Sequence, residues 1–165
     1  MLKQASVTDL TMGRISKDEG HIVITMRRYP RFVNKKLRDE YLTCMSPEKK
    51  LFEDWLEAKR KYQDHDGAFF KSHFEERFEI NEEGIEHLAR LSALAHEKDV
   101  YLICQCKTGE RCHREFLLIM AKWLFNAETA SPANKYPIFE KRVTEWKRVL
   151  KRQSKRKVQG IDASA

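Results

Sequence analysis

Residues 100–114 read VYLICQCKTGERCHR, from Val100 to Arg114. An apolar run, Val100–Cys104, gives way to a polar loop with Cys106, Gly109 and Arg111. Cys112-His113-Arg114 follows, and then a segment that is apolar nearly all round, Phe116–Leu124. The short run suits a buried strand, and the longer one suits a helix packed deep against a sheet. Upstream, Ile85, Leu88, Leu91 and Ala95 recur at helical spacing behind a capping Asn81, and that helix ends near Lys98-Asp99. Helix, turn, strand, loop, helix is the pattern of an α/β unit. In such units ligands bind where a strand's C-terminal end leads through a loop into the next helix.

Outward from this unit, residues 22–26 (IVITM) predict a second buried strand, ended at Pro30, which forces Tyr29 out of helical conformation. Residues 5–15 are expected to supply an earlier strand, turned by 17–20 (KDEG). Ser46-Pro47-Glu48 predicts a helix start: a serine cap, proline at the first position and an acid in the first turn. That helix should run through Leu51, Trp55 and Lys59 and break at Asp64–Gly67, before a second over 67–78 with Phe70, Phe74 and Phe78 on one stripe. A last helix from about 138 carries Phe139, Val143, Trp146 and Leu150 on one face and cations on the other, and 159–165 reads as its frayed end.

The expected fold is α/β: a small, mostly parallel sheet flanked by several helices, Rossmann-like and three-layered. One domain should occupy residues 1–137, with the basic helix and tail, 138–165, packed on it. The chain has 165 residues, 41% apolar and 35% charged, which suits one core and no membrane insertion. The opening MLKQASVTDLTMGR lacks an apolar stretch of signal-peptide length, so a cytoplasmic location is expected. Of the four cysteines, Cys104, Cys106 and Cys112 fall within nine residues, poor spacing for bracing a fold, and reduced thiols are expected. The net charge of +7 is localised: residues 141–157 hold nine basic residues and one acid, which leaves about −1 for the rest.

The turn at 106–114 predicts an anion site. Free N–H groups and the helix dipole favour negative charge there, and Arg111, His113 and Arg114 add positive charge. A cysteine in the first helical turn has a depressed pKa, so Cys112 is the candidate nucleophile and His113 the candidate proton donor or acceptor. Blander assignments compete: Cys104 as a small buried apolar residue, and Arg114 paired with a carboxylate to pin the helix. Zinc on Cys104, Cys106, Cys112 and His113 has the right atoms. However, Cys-x-Cys is tight for a zinc knuckle, and adjacent helical residues diverge by about 100°. A phosphatase-type loop fails in either frame, because Arg111 comes one residue too soon after Cys106 and one too late after Cys104.

Leu102-Ile103-Cys104, Cys112-His113-Arg114 and Leu117 together resemble the signature of the DUF488 (domain of unknown function 488) family. The strand-and-proline stretch Ile24-Thr25-Met26-Arg27-Arg28-Tyr29-Pro30 resembles it too, as do Ser46-Pro47, Leu51 and Trp55, so the likeness covers about 20–125. The resemblance implies a compact α/β fold and one site holding Arg28, Cys112, His113 and Arg114. It implies no particular activity. Cys106 and the basic tail lie outside the pattern. If strand 22–26 runs parallel beside strand 100–104, Arg27, Arg28 and Arg31 emerge at the same sheet edge as the Cys-His-Arg turn. An anion would then neutralise Arg28, Arg31, Arg111 and Arg114, unless Asp39, Glu40 or Glu110 does so.

The expected ligand is a small anion bearing phosphate, a nucleotide or nucleic acid. A thiol-redox or zinc module is the alternative. A third reading is a nucleic-acid-associated protein acting through Lys147, Arg148, Lys151 and Arg152, against which stands a docked helix with a solvated outer face.

Overall fold

The structure is a computed structural model that describes residues 1–163. Strand β1 (Leu2–Ser6) passes directly into helix α1 (Val7–Thr11), which corrects the strand expected over 5–15. The cause is a capping box. Ser6 Oγ accepts from the Asp9 N–H at 3.0 Å, and the Asp9 carboxylate accepts from the Ser6 N–H at 3.0 Å, so the chain turns helical at once. Strand β2 (His21–Ile24) and the two-residue β3 (Glu40–Tyr41) follow.

Helix α2 (Lys49–Tyr62) begins later than the serine-proline signal suggested. Ser46 does not cap it; the buried Ser46 hydroxyl donates instead to the Thr43 carbonyl at 2.6 Å in the preceding turn. The single helix expected over 67–78 is two, α3 (His65–Lys71) and α4 (Phe74–Arg77), hinged at His73 with φ +54°. Asp64 accepts from the Gly67 N–H at 3.1 Å, so the stretch taken as a breaker also starts α3. The hinge changes the helical phase: Phe69 is buried and Phe70 is 56% exposed. Helix α5 (Glu82–Leu94), capped by Asn81, strand β4 (Val100–Cys104) and helix α6 (His113–Phe125) stand as expected, save that Cys112 precedes the helix. Helix α7 (Pro137–Ala163) is helical through the start of the expected frayed end, and Ser164 and Ala165 lie outside the described residues.

All four strands are parallel, in the order β1-β4-β2-β3. Ser6 pairs with Cys104, Ile24 pairs with Ile103, and the Thr25 N–H donates to the Ile103 carbonyl at 3.0 Å. Alternation sends Leu2, Val23, Val100 and Leu102 into the larger core, and Ala5, Ile22, Ile24 and Ile103 into a smaller one under α1. The larger core centres on Phe116, stacked on Phe139 at 4.1 Å and edge-on to Tyr136 at 4.7 Å. Phe139 and Val143 of α7 are buried in it and Trp146 packs against it, while Leu150 is 38% exposed. Among the described residues no helix is long and apolar enough to cross a membrane.

The docking of α7 depends on Glu75, a buried residue of α4 whose Oε1 accepts from the N–H groups of Ile138 (2.8 Å) and Phe139 (3.1 Å). Those donors would otherwise be orphaned at the helix start. Glu75→Ala should cost about 2 kcal/mol of unfolding free energy in urea, with helical signal from α7 lost first.

Candidate functional site

Because β2 and β4 are parallel neighbours, their C-terminal ends open at one sheet edge. β4 brings Cys104 there, and the chain after β2 brings Thr25, Met26, Arg27 and Arg28. The loop from β4 to α6 is tied down along its length. The Lys107 N–H donates to Glu110 Oε1 at 2.6 Å, and Gly109 turns the chain at φ +92°. His65 Nε2 donates to the Arg111 carbonyl at 2.8 Å, and Asn134 Nδ2 to the Gly109 carbonyl at 3.0 Å.

Cys112 closes the loop in an extended conformation, φ −154° and ψ 150°. That one-residue offset removes the divergence expected of two helical neighbours. The sulfurs of Cys104, Cys106 and Cys112 lie within 4.8 Å of one another. His113 Nδ1 stands 3.6 Å from the Cys112 sulfur and 4.0 Å from that of Cys104. Its Nε2 donates to the Thr25 carbonyl at 2.9 Å, which aims Nδ1 at the sulfurs. Thr25 was read from the sequence as strand core only; nothing in IVITM marks it as the partner of a histidine 88 residues away.

Burial works against a Cys112 thiolate. Hydrogen bonds from the Cys104 and Cys106 thiols, together with the charges of His113 and Arg114, outweigh it and hold the Cys112 pKa well below the ordinary thiol value. Burial likewise opposes a charged His113, but the Cys112 and Cys104 sulfurs push its pKa up to about 10. Cys106 is shifted the other way, upward, by its hydrogen bonds to Cys104 and Cys112 and then by burial. The directions of these shifts favour a thiolate–imidazolium pair at Cys112 and His113, with two further thiols beside it.

This cluster forms the floor of a cavity of about 520 Å³. Phe52, Trp55, Phe69 and Phe74 wall it, and Arg27, Arg28, Lys59, Lys107 and Arg111 face it with one carboxylate, Glu110, among the described residues. A second, more polar cavity of about 780 Å³ shares Arg27, Arg28 and Phe52 with it. Arg28 lies over the Phe52 ring at 5.9 Å, and Arg111 over Phe70 at 4.8 Å and Tyr136 at 5.3 Å. In the sequence Phe52 and Trp55 were legible only as positions on the helix after Ser46-Pro47, and Phe74 only as part of the stripe with Phe70 and Phe78.

The structure does not bring every candidate together. Arg114 is fully buried and lines neither cavity; it donates to the carbonyls of Ala5 and Lys107, so it holds β1 to the loop. Among the described residues no carboxylate pairs with it. Arg31 is exposed and also outside the cavity. Asp39 and Glu40 serve elsewhere: Asp39 accepts from the Ile22 N–H, and Glu40 binds Arg90 at 2.6 Å. Lys147, Arg148, Lys151 and Arg152 lie on α7, away from the thiols. Sequence reasoning missed Glu115, wholly buried, whose carboxylate accepts from Tyr136 Oη (2.7 Å), Asn134 Nδ2 (2.8 Å), Gln4 Nε2 (3.1 Å) and the Ala133 N–H. A lone acid in a helix apolar nearly all round was the available signal.

Native alkylation of Cys112 should therefore rise with pH through a midpoint well below the roughly 8.5 of a free thiol, since its thiolate is favoured by folding. His113→Gln removes the neighbouring cation and should move that midpoint upward, read by peptide mass spectrometry across pH. Arg114→Met leaves two carbonyls without their donor and should cost about 3 kcal/mol in denaturant unfolding.

Residues 6–127 match the family model DUF488-N3a, described as the active DUF488-N3 subclade. No curated protein matches, and no solved structure does. The matched span runs from the end of β1 through α6, includes every residue of the thiol cluster and ends before α7. The chain belongs to the DUF488 family.

Proposed function

We propose that the protein binds a phosphate-bearing ligand with a planar ring, a nucleotide or a nucleotide within a nucleic acid, and acts on it with Cys112. The observation that carries this reading is the Cys112 sulfur, 3.6 Å from His113 Nδ1, in the lining of a cavity walled by aromatics and rimmed by cations. Arg27, Arg28 and Arg111 neutralise the phosphate, and Phe52 or Trp55 offers a face to the ring. The Cys112 sulfur attacks an electrophilic centre of the ligand and forms the new bond. The leaving group departs with the electron pair of the broken bond and takes the proton from His113 Nδ1. Arg114 is a positioning residue in this scheme, and Arg31 has no part. The family model's own description, an active subclade, agrees with turnover.

A second reading has its own support. Three sulfurs within 4.8 Å of one another are close enough to share one thiophilic ion such as zinc, with His113 beside two of them.

One experiment separates the two. Cysteine alkylation is followed in the native protein with and without inorganic phosphate and each nucleoside monophosphate. Under the first reading a monophosphate protects Cys112, and Arg28→Ala raises the concentration needed at least about tenfold, whereas Arg31→Ala leaves it unchanged. Equal alkylation with and without every probe overturns it. Thiols that react only after a chelator is added support the metal.

A further inference from the structure

We propose that the outer face of α7 is a docking surface for the phosphate backbone of a nucleic acid. This surface lies outside the family match and does not depend on the cavity's chemistry.

The helix is oriented by its apolar side. Trp146, Val149, Leu150 and Gln153 line a groove of about 250 Å³ against Ile80, Ile85, Met120 and Leu124. At 100° per residue the opposite half of the helix holds Lys147, Lys151 and Lys155 in one row and Arg148 and Arg152 in the next, with Arg156 at its edge. From Arg148 to Gly160 the chain is exposed throughout. Among the described residues one ion pair serves these six cations, Arg148 with Glu145 at 2.9 Å.

A merely solvated charged helix looks different, and this chain contains one. Helix α2 alternates signs, with Lys49–Glu53 and Lys50–Asp54 paired at the four-residue spacing. On α7 the same spacing sets cation against cation four times over: 147 with 151, 151 with 155, 148 with 152, and 152 with 156. Such pairs oppose helix formation. The rest of the chain, with a net charge of about −1, does not offset them as a whole. An external polyanion does.

The spacing suits nucleic acid. The nine steps from Lys147 to Arg156 rise about 13.5 Å, and duplex DNA carries one charge per roughly 1.7 Å with both strands counted, so about eight phosphates lie along the span of six cations. The surface also continues onto Trp123, 47% exposed, with Lys122 at 5.9 Å and Lys147 at 5.8 Å from its ring. An aromatic face flanked by lysines suits an unpaired base. An anionic membrane is the weaker match, because a helix lying on lipid needs bulky apolar residues on its lipid side. Beyond Leu150 this helix has only Val158 described as exposed and apolar.

The test uses the full chain, labelled 20-mer duplex and single-stranded oligonucleotides, and vesicles rich in anionic lipid, across a salt series. The unaltered chain should bind oligonucleotide with affinity falling steeply in salt. The triple variant Lys151→Glu, Arg152→Glu, Lys155→Glu should bind at least about tenfold more weakly, with its log–log salt slope reduced by roughly 2.7 on duplex or 2.1 on single strand. These three side chains are exposed and outside the core, so Cys112 alkylation should be unchanged and reports that the fold is intact. Trp123→Ala should weaken single-strand binding alone. Equal binding by the variant, no binding by the unaltered chain at low salt, or tighter binding to vesicles than to oligonucleotide would each overturn the proposal.

Discussion

Three consecutive buried polar side chains at the start of α6 hold this molecule together: His113, Arg114 and Glu115. Burying such groups is costly unless each is hydrogen-bonded, and each here is bonded to a different part of the chain. His113 reaches the end of β2 at Thr25. Arg114 reaches the end of β1 at Ala5 and the loop at Lys107. Glu115 gathers Gln4 and the segment 133–136, and Tyr136 in turn accepts from the Cys112 N–H at 3.4 Å. One turn of helix thus sets the positions of two strand ends and two loops.

Two of these residues also bear on the chemistry at Cys112. The charges of His113 and Arg114 favour its thiolate, and the Cys112 and Cys104 sulfurs in turn favour a charged His113, each against the cost of burial. The cavity's cations are left facing solvent with Glu110 as their one carboxylate, and that surplus is what an anionic ligand would meet.

Parallel pairing of β2 with β4 is what turns local motifs into a site. Two segments nearly 80 residues apart deliver their C-terminal ends to one edge, as open α/β sheets do at a change of strand order. The insertion between them, α2 through α5, supplies the aromatic wall, so the cavity has one side from the sheet and one from that insertion. Helix α7 adds a different element, a charged arm fixed at one end by Glu75 and Phe139.

Strong periodicity and clear caps made β2, β4, α5 and α6 legible in the sequence, and the Cys-His-Arg turn with Arg28 marked the site. Strand β1 was not legible as such: an edge strand reading Leu-Lys-Gln-Ala-Ser lacks clean alternation, and its helix start, the Ser6–Asp9 capping box, went unused. The even spacing of Phe70, Phe74 and Phe78 suggested one helix, whereas the left-handed turn at His73 made two, a backbone choice decided by how Phe69 and Phe74 fill the core. By itself the sequence determined which residues could do chemistry and that they stand at a strand-loop-helix turn, because periodicity and loop composition are local properties. Which of them face the cavity was decided only by tertiary structure. The side chain of Arg114 turns inward because a carbonyl of β1 waits there, and the three sulfurs converge because Cys112 stops one residue short of the helix.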